Sequence, residues 1–260
     1  MITTEAIDVA AYQRQGFIGP LPVLTDEEVG RAQKLYERLQ ALVPAGQSTM
    51  AIDWWHQLDR ELYELCTHPR ILDYVEQIVG SDFYLWGSQF FAKEPGADTT
   101  VPWHQDAFYW PIQPHRAVTV WLAVNDSFPE NGAMKVIPGS HTKRMSHKPS
   151  TRNSDVLDVQ ADDQEFSEAD AVHLCMKAGE CSLHDDNIVH GSSGNTSNVR
   201  RCGLTIRYSA GEAKCDVSVW PFFKAYWVRG GDRWQHNPLG DPPQDLLTEF
   251  RSVTPRTGQR

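Results

Sequence analysis

The sequence predicts an antiparallel β-sandwich or barrel behind a helical first third, and three observations lead there. Up to about residue 82, apolar side chains recur at helical spacing. Beyond it the period shortens, and short runs rich in β-branched and aromatic residues follow one another between Gly, Pro, Asn and Asp. No helix of crossover length separates these runs, which favours antiparallel packing over a βαβ sheet. With 260 residues, 40 % of them hydrophobic and 22 % charged, the chain has the composition of an ordinary globular core.

The stretch TDEEVGRAQKLYERLQALV opens on a capping box, Thr25 as N-cap and Glu28 three residues on. It places Val29, Ala32, Leu35, Tyr36, Leu39 and Leu42 at helical spacing. HQLDRELYELC and PRILDYVEQIVG form two shorter helices, the second starting on Pro69 and stopping at Gly80. The strands are DFYLWGSQFFAKE, RAVTVWLAVND, GAMKVIPG, ECSLHDDNIVHG and RRCGLTIRYSA. Before the fourth, the charged segment 143–172 interrupts the pattern; a loop of that length is either a lid or a partly ordered excursion. The late aromatic stretch with VWPFF, AYW and RW shows no periodicity that assigns it.

A formal net charge of −10, with no stripe of Lys and Arg, argues against a nucleic-acid partner, because clustered cations drive phosphate binding. The basic end, TPRTGQR, reads as a solvated tail. At 117–124 the longest apolar run, AVTVWLAV, is about a third of what a bilayer span needs. The start, MITTEAIDVAAYQ, lacks the basic and apolar regions of a signal peptide. Five cysteines without a C-x-x-C pair read as free thiols in a reducing compartment. The expectation is a cytoplasmic monomer or homodimer that acts on a small molecule, with no membrane partner.

Chemistry concentrates in VPWHQDAFYWP. His104 and Asp106 sit two apart, and on a strand such residues emerge on one face. Joined by a second imidazole they form a 2-His-1-carboxylate facial triad, which leaves adjacent positions open on Fe(II). That imidazole is His184 or His190, both in SLHDDNIVHGSS. Arg201 lies eleven residues past His190, and Ser192 two past it. A dicarboxylate cosubstrate needs one fixed cation, and the planar fork of Arg donates two parallel hydrogen bonds to a carboxylate. Asp185 and Asp186, on opposite faces of a strand, read as solvated carboxylates on a turn.

Taken in order over roughly residues 83–210, the set WHQD, AVTVWLAV, PENGAMKVIPGSH, HGS and RRCGLTIRY resembles the phytanoyl-CoA dioxygenase family of Fe(II)/2-oxoglutarate-dependent oxygenases. The resemblance implies a mainly β fold with flanking helices, a double-stranded β-helix or jelly-roll, cupin-like barrel. The expected organisation is a single domain over 1–260, helical to about 82, with the barrel from about 83 carrying the 143–172 loop. The resemblance further implies that His104, Asp106 and His190 hold Fe(II), and that Arg201 with Ser192 binds the distal carboxylate of 2-oxoglutarate. Gln89, Thr119 and Trp121 then line the cosubstrate pocket, and His184 becomes an outer or structural residue. O2 is the third reactant, with succinate and CO2 as coproducts. Related halogenating enzymes have Gly or Ala where Asp106 stands, which favours hydroxylation; desaturation, epimerisation and ring closure use the same iron centre.

Arg207 shares strand parity with Arg201 and so faces inward, where it binds an anionic substrate group or pairs with an internal carboxylate. Trp54, Trp55, Trp103, Phe108, Tyr109 and Trp110 concentrate aromatic surface near the expected mouth, to sandwich an apolar substrate, cage a quaternary ammonium or shield the iron from water. The expected substrate contacts are Arg207, Phe108, Trp110 and Trp55, and His141 has no catalytic role. Hydroxylation of an aliphatic C–H in a small polar metabolite or natural-product intermediate is the expected reaction. One rival is a zinc-dependent hydrolase or cupin-type isomerase, in which Arg201 would have no evident job. The other is a non-catalytic barrel that binds a small molecule.

Overall fold

The computed structural model describes residues 4–150 and 152–253, so the end at 254–260, read above as a solvated tail, lies outside the described residues. The first third carries α1 (Val9–Gln15), α2 (Asp26–Gln40), α3 (Arg60–Cys66) and α4 (Pro69–Val79). The expected capping box forms at the start of α2. The Thr25 hydroxyl accepts from the Glu28 amide at 3.3 Å, and the Glu28 carboxylate accepts from the Thr25 amide at 2.7 Å. Two donors are thereby satisfied, one of them an amide of the opening turn that has no partner within the helix.

One segment of this third is a strand. Strand β1 (Phe17–Pro22) pairs antiparallel at the edge of a sheet built mainly from the second half of the chain. Its Gly and Pro gave no strand signal in sequence, yet on an edge strand a proline's missing N–H breaks no ladder. The further strands are β2 (Phe83–Lys93), β3 (Val101–His104), β4 (Ile112–Gln113), β5 (Ala117–Ala123), β6 (Met134–Val136), β7 (His147–Pro149), β8 (Val159–Ala161), β9 (Val172–His173), β10 (Glu180–Asp185), β11 (His190–Ser192), β12 (Arg201–Ala210), β13 (Lys214–Cys215) and β14 (Tyr226–Arg229).

Two antiparallel sheets carry the fold, a six-stranded one in the order β1-β10-β5-β12-β2-β14 and a four-stranded one in the order β3-β11-β6-β9. They are the halves of a jelly roll. Their ladders stay separate, so the sheets do not close into the barrel the sequence suggested. Segment 143–172 is not a featureless loop: β7 and β8 form a hairpin, and β9 edges the four-stranded sheet. In the unassigned aromatic stretch, β14 extends the large sheet, and Trp220, Phe222 and Phe223 pack around Trp54.

Strand parity divides the interior into two. From β5 and β12, Val118, Val120, Leu122, Cys202, Leu204 and Ile206 join Leu35, Leu39, Ile71 and Val75 of the helices in the main core. Their neighbours Trp121 and Ala123 meet Met134 and Val136 of the opposite sheet. Each apolar side chain so buried contributes roughly 1.5–3 kcal/mol. All five cysteines are unpaired, four of them buried. No helix among the described residues is long and apolar enough to cross a membrane.

Candidate active site

β3 ends at His104, Gln105 stays extended, and Asp106 opens a short 3-10 turn, Asp106–Phe108. The same-face relation expected of a strand therefore survives two residues past the strand's end. His190 begins β11 directly across the ladder from His104, with ring centroids 4.1 Å apart. From Asp106 Oδ1, His104 Nε2 lies at 3.5 Å and His190 Nε2 at 4.0 Å. One donor atom from each of the three falls within 4.8 Å of the others.

The rings are held in the tautomer a metal requires. Nδ1 of His104 lies 2.8 Å from the Pro102 carbonyl, and Nδ1 of His190 lies 3.1 Å from that of Ile188. A proton donated there leaves Nε2 with a free lone pair. Burial, and then the adjacent His104, keep the His190 imidazole well below its usual pKa and hence neutral. Burial pushes the Asp106 carboxyl upward, but the nearness of His104, His184 and His190 and the charge of Arg207 hold it well below the usual carboxylate range. Two imidazoles and one carboxylate suit a divalent first-row metal.

His184 stands on the other side of the carboxylate, its Nε2 3.8 Å from Asp106 Oδ2. It lines the same cavity without joining the donor set. Thr119, expected along the cosubstrate pocket, instead donates to Asp106 Oδ2 at 3.2 Å. One carboxylate oxygen is thus held by the protein while the other faces the imidazoles.

Arg201 is buried at the far end of the cavity. Its Nη2 and Nε donate to the Gly132 carbonyl at 2.7 and 3.1 Å, and Nη1 donates to that of Phe91 at 3.1 Å. Nη2 reaches Ser192 Oγ at 3.4 Å, and the guanidinium sits 5.5 Å from the Trp121 ring centroid. No carboxylate pairs with it among the described residues, and burial lowers its pKa to about 10. A Cβ on Gly203 would fall 2.0 Å from the Trp121 ring, so only glycine leaves room for that indole across β12.

Sequence reasoning missed Lys93. Its Nζ donates to Ser192 Oγ at 2.8 Å, beside Arg201. Burial, then the charges of Arg201 and Lys135, lower its pKa to about 6. The available signal was parity, since Lys93 shares the inward face of β2 with Phe91, which lines the cavity.

Other expected residues lie elsewhere. Gln89 turns its amide to the Met50 carbonyl at 3.1 Å. Trp55 is fully buried, its Nε1 donating to the Arg251 carbonyl at 2.7 Å and its ring against Phe250, so it packs under the C-terminal segment and not at a substrate site. Phe108 is 43 % exposed and stacks on His147 at 4.0 Å, outside the cavity. Trp110 is buried against Trp86, with Arg207 over its face. Arg207 does face inward and lines the cavity. Asp185 ends β10 half-buried, and the turn begins at Asp186, which is withdrawn from water. Asp186 is buried with His115 Nδ1 3.5 Å away, and Asp185 is raised to about 7 by burial and by its neighbour's charge.

Gln105, buried between the two ligand candidates, holds the excursion in place. Its Nε2 donates to the Lys143 carbonyl and its Oε1 accepts from the Met145 amide, each at 2.8 Å. Further along, the Tyr109 hydroxyl donates to the Val159 carbonyl at 3.1 Å.

A family model described as phytanoyl-CoA dioxygenase (PhyH) matches residues 12–203. Ectoine dioxygenase of Streptomyces avermitilis is 25 % identical over 244 residues, covering 84 % of this chain and 81 % of the relative. L-proline trans-4-hydroxylase of Streptomyces griseoviridis is 27 % identical over 225 residues, covering 76 % and 84 %. Among solved structures, the apo form of the non-heme monooxygenase ThoJ gives a TM-score of 0.77 at 25 % identity, over 91 % of this chain and 88 % of that one. With three quarters of its length under one family model and a donor triad set between its sheets, the chain belongs to the phytanoyl-CoA dioxygenase family.

Proposed function

We propose that the chain is an Fe(II)- and 2-oxoglutarate-dependent oxygenase that hydroxylates an aliphatic C–H bond of a small polar metabolite or natural-product intermediate. One observation carries the reading: a single cavity joins the His104, Asp106 and His190 donor set to a buried arginine with no anionic partner. The two imidazoles and Asp106 would hold Fe(II), while Arg201, Ser192 and Lys93 would receive the distal carboxylate of 2-oxoglutarate. Iron bound there, with 2-oxoglutarate and O2, supplies the oxidising power for C–H hydroxylation and releases succinate and CO2.

The chain's own contribution is position. Thr119 holds Asp106 Oδ2 and so turns Oδ1 toward the imidazoles. Trp121 carries the Arg201 guanidinium, and the apolar cluster between the sheets keeps that end of the cavity dry. A zinc hydrolase would use the same three donors but would leave Arg201 a buried charge without a role. Membership of the family and the names of the two relatives, a dioxygenase and a hydroxylase, support the oxidative reading. Purified protein given Fe(II), ascorbate and 2-oxoglutarate under air is expected to form iron-dependent succinate even without its primary substrate. Absence of succinate, together with no iron-dependent binding of 2-oxoglutarate, would overturn the assignment.

A further inference from the structure

We infer that the primary substrate is a small molecule bearing a carboxylate, and that Arg207 binds that group. The inference rests on reading the site as an iron and 2-oxoglutarate centre. Arg207 stands six residues from Arg201 on β12, with the same parity, and both line one cavity. Six residues of strand separate their Cα atoms by about 20 Å, and the two guanidiniums lie over different rings, Arg201 over Trp121 and Arg207 over Trp110. In the ladder Arg207 lies opposite Thr119, the residue that bonds Asp106, whereas Arg201 lies beside Ser192. One arginine therefore faces the cosubstrate end and the other the ligand carboxylate.

The Arg207 charge acts on Asp106 from a distance, but its guanidinium forms no ion pair among the described residues. The residue is 8 % exposed, its Nε finds no acceptor, and among the described residues no carboxylate comes within ion-pairing reach. The fold nevertheless makes room for it and fixes its plane. A Cβ on Gly87 would press to 3.2 Å from Arg207 Cδ, and the guanidinium lies 5.6 Å from the Trp110 ring centroid. Neighbouring His56 supplies no negative charge; burial, then Arg207 itself, keep its pKa at about 3.

Charge balance leads to the same place. Even with Lys93 neutral, the iron and Arg201 offset Asp106 and the doubly negative cosubstrate, and a proton on Lys93 only adds to the excess, so Arg207 is a surplus cation out of water. Such a charge is costly until a partner arrives. A carboxylate presents two coplanar oxygens matched to the guanidinium fork. One arginine also suits a single negative charge better than a polyanion.

The test loads the protein with Fe(II) without oxygen, saturates it with 2-oxoglutarate, and titrates it with carboxyl-labelled acetate. The readout is the iron-induced relaxation of the labelled carbon. A saturable effect is expected with acetate and none with its neutral isostere acetamide. Arg207→Gln is expected to weaken acetate binding by ~10-fold or more, and Arg207→Lys to retain part of it. The limiting rate is expected to give a carbon-to-iron distance longer than direct ligation. An effect that Arg207→Gln leaves unchanged, equal effects of acetate and acetamide, or a distance of direct ligation each overturns the proposal. Should Arg207→Gln fail to fold, the lysine variant and the wild-type comparison of acetate with acetamide decide it. Visible absorption from 2-oxoglutarate on Fe(II), read in the same samples, separates the two levels. If it is absent in wild type, the iron and cosubstrate reading fails; if it is present without the acetate effect, only the carboxylate subsite fails.

Discussion

Along β5 and β12, neighbouring residues enter opposite environments. Val118, Val120, Leu122, Leu204 and Ile206 point toward the helices and are fully buried among apolar side chains. Thr119, Arg201, Thr205 and Arg207 point toward the other sheet and are withdrawn from water almost as far. On the first side burial stabilises the fold directly. On the second it costs stability wherever a charge lacks a partner, which is why the proposed function gives Arg201 and Arg207 partners from outside the chain. Register ties the sides together, because a slip of one residue would exchange them.

The largest expected effect lies on the inward side. Asp106→Ala removes the anionic donor and is expected to reduce iron-dependent succinate formation to background, with iron content measured in the same sample; retained turnover would place the metal elsewhere. On the helix side, Leu204→Ala is expected to cost about 2–5 kcal/mol in urea unfolding. Turnover per folded molecule should persist there, and a loss of turnover without a loss of stability would contradict the division of labour.

Arg201→Gln is expected to raise the 2-oxoglutarate requirement roughly 10–100-fold, since charge-assisted hydrogen bonds contribute about 1.5–3 kcal/mol. An unaltered requirement would move the anchor to another residue. The smallest effect is a pH dependence. Lys93, lowered to about 6 by burial and by Arg201, is mostly neutral at neutral pH and is expected to take up a proton when 2-oxoglutarate binds. Affinity should then be flat below pH 6 and fall by up to ~10-fold per unit above it, until the pKa of the bound state is reached. Lys93→Met is expected to flatten that fall, and calorimetry in buffers of different ionisation enthalpy would show whether the proton is taken up.

The inward side was legible in sequence wherever two or three residues close in the chain carried the geometry. His104 and Asp106 needed only strand parity, and Arg201 and Arg207 needed the same rule along one strand. The choice between His184 and His190 was not local. Both reach Asp106, and only the pairing of β11 with β3 sets His190 opposite His104. Trp55 and Phe108 were misplaced for a related reason. Their composition signalled an aromatic mouth, but contacts with Phe250 and His147, distant in sequence, decide where the rings lie. Strand β1 was hidden by glycine and proline that an edge position tolerates.

The grip of Gln105 on Lys143 and Met145 bears on how such a scaffold can be re-engineered. The 143–172 excursion is tethered to Gln105, the residue between His104 and Asp106, so under the proposed function a change in it is expected to reach the donor set. A graft taken from a relative to change which molecules enter has to reproduce those two main-chain partners first. Without them, exchanging the insertion would loosen the metal seat along with the entrance.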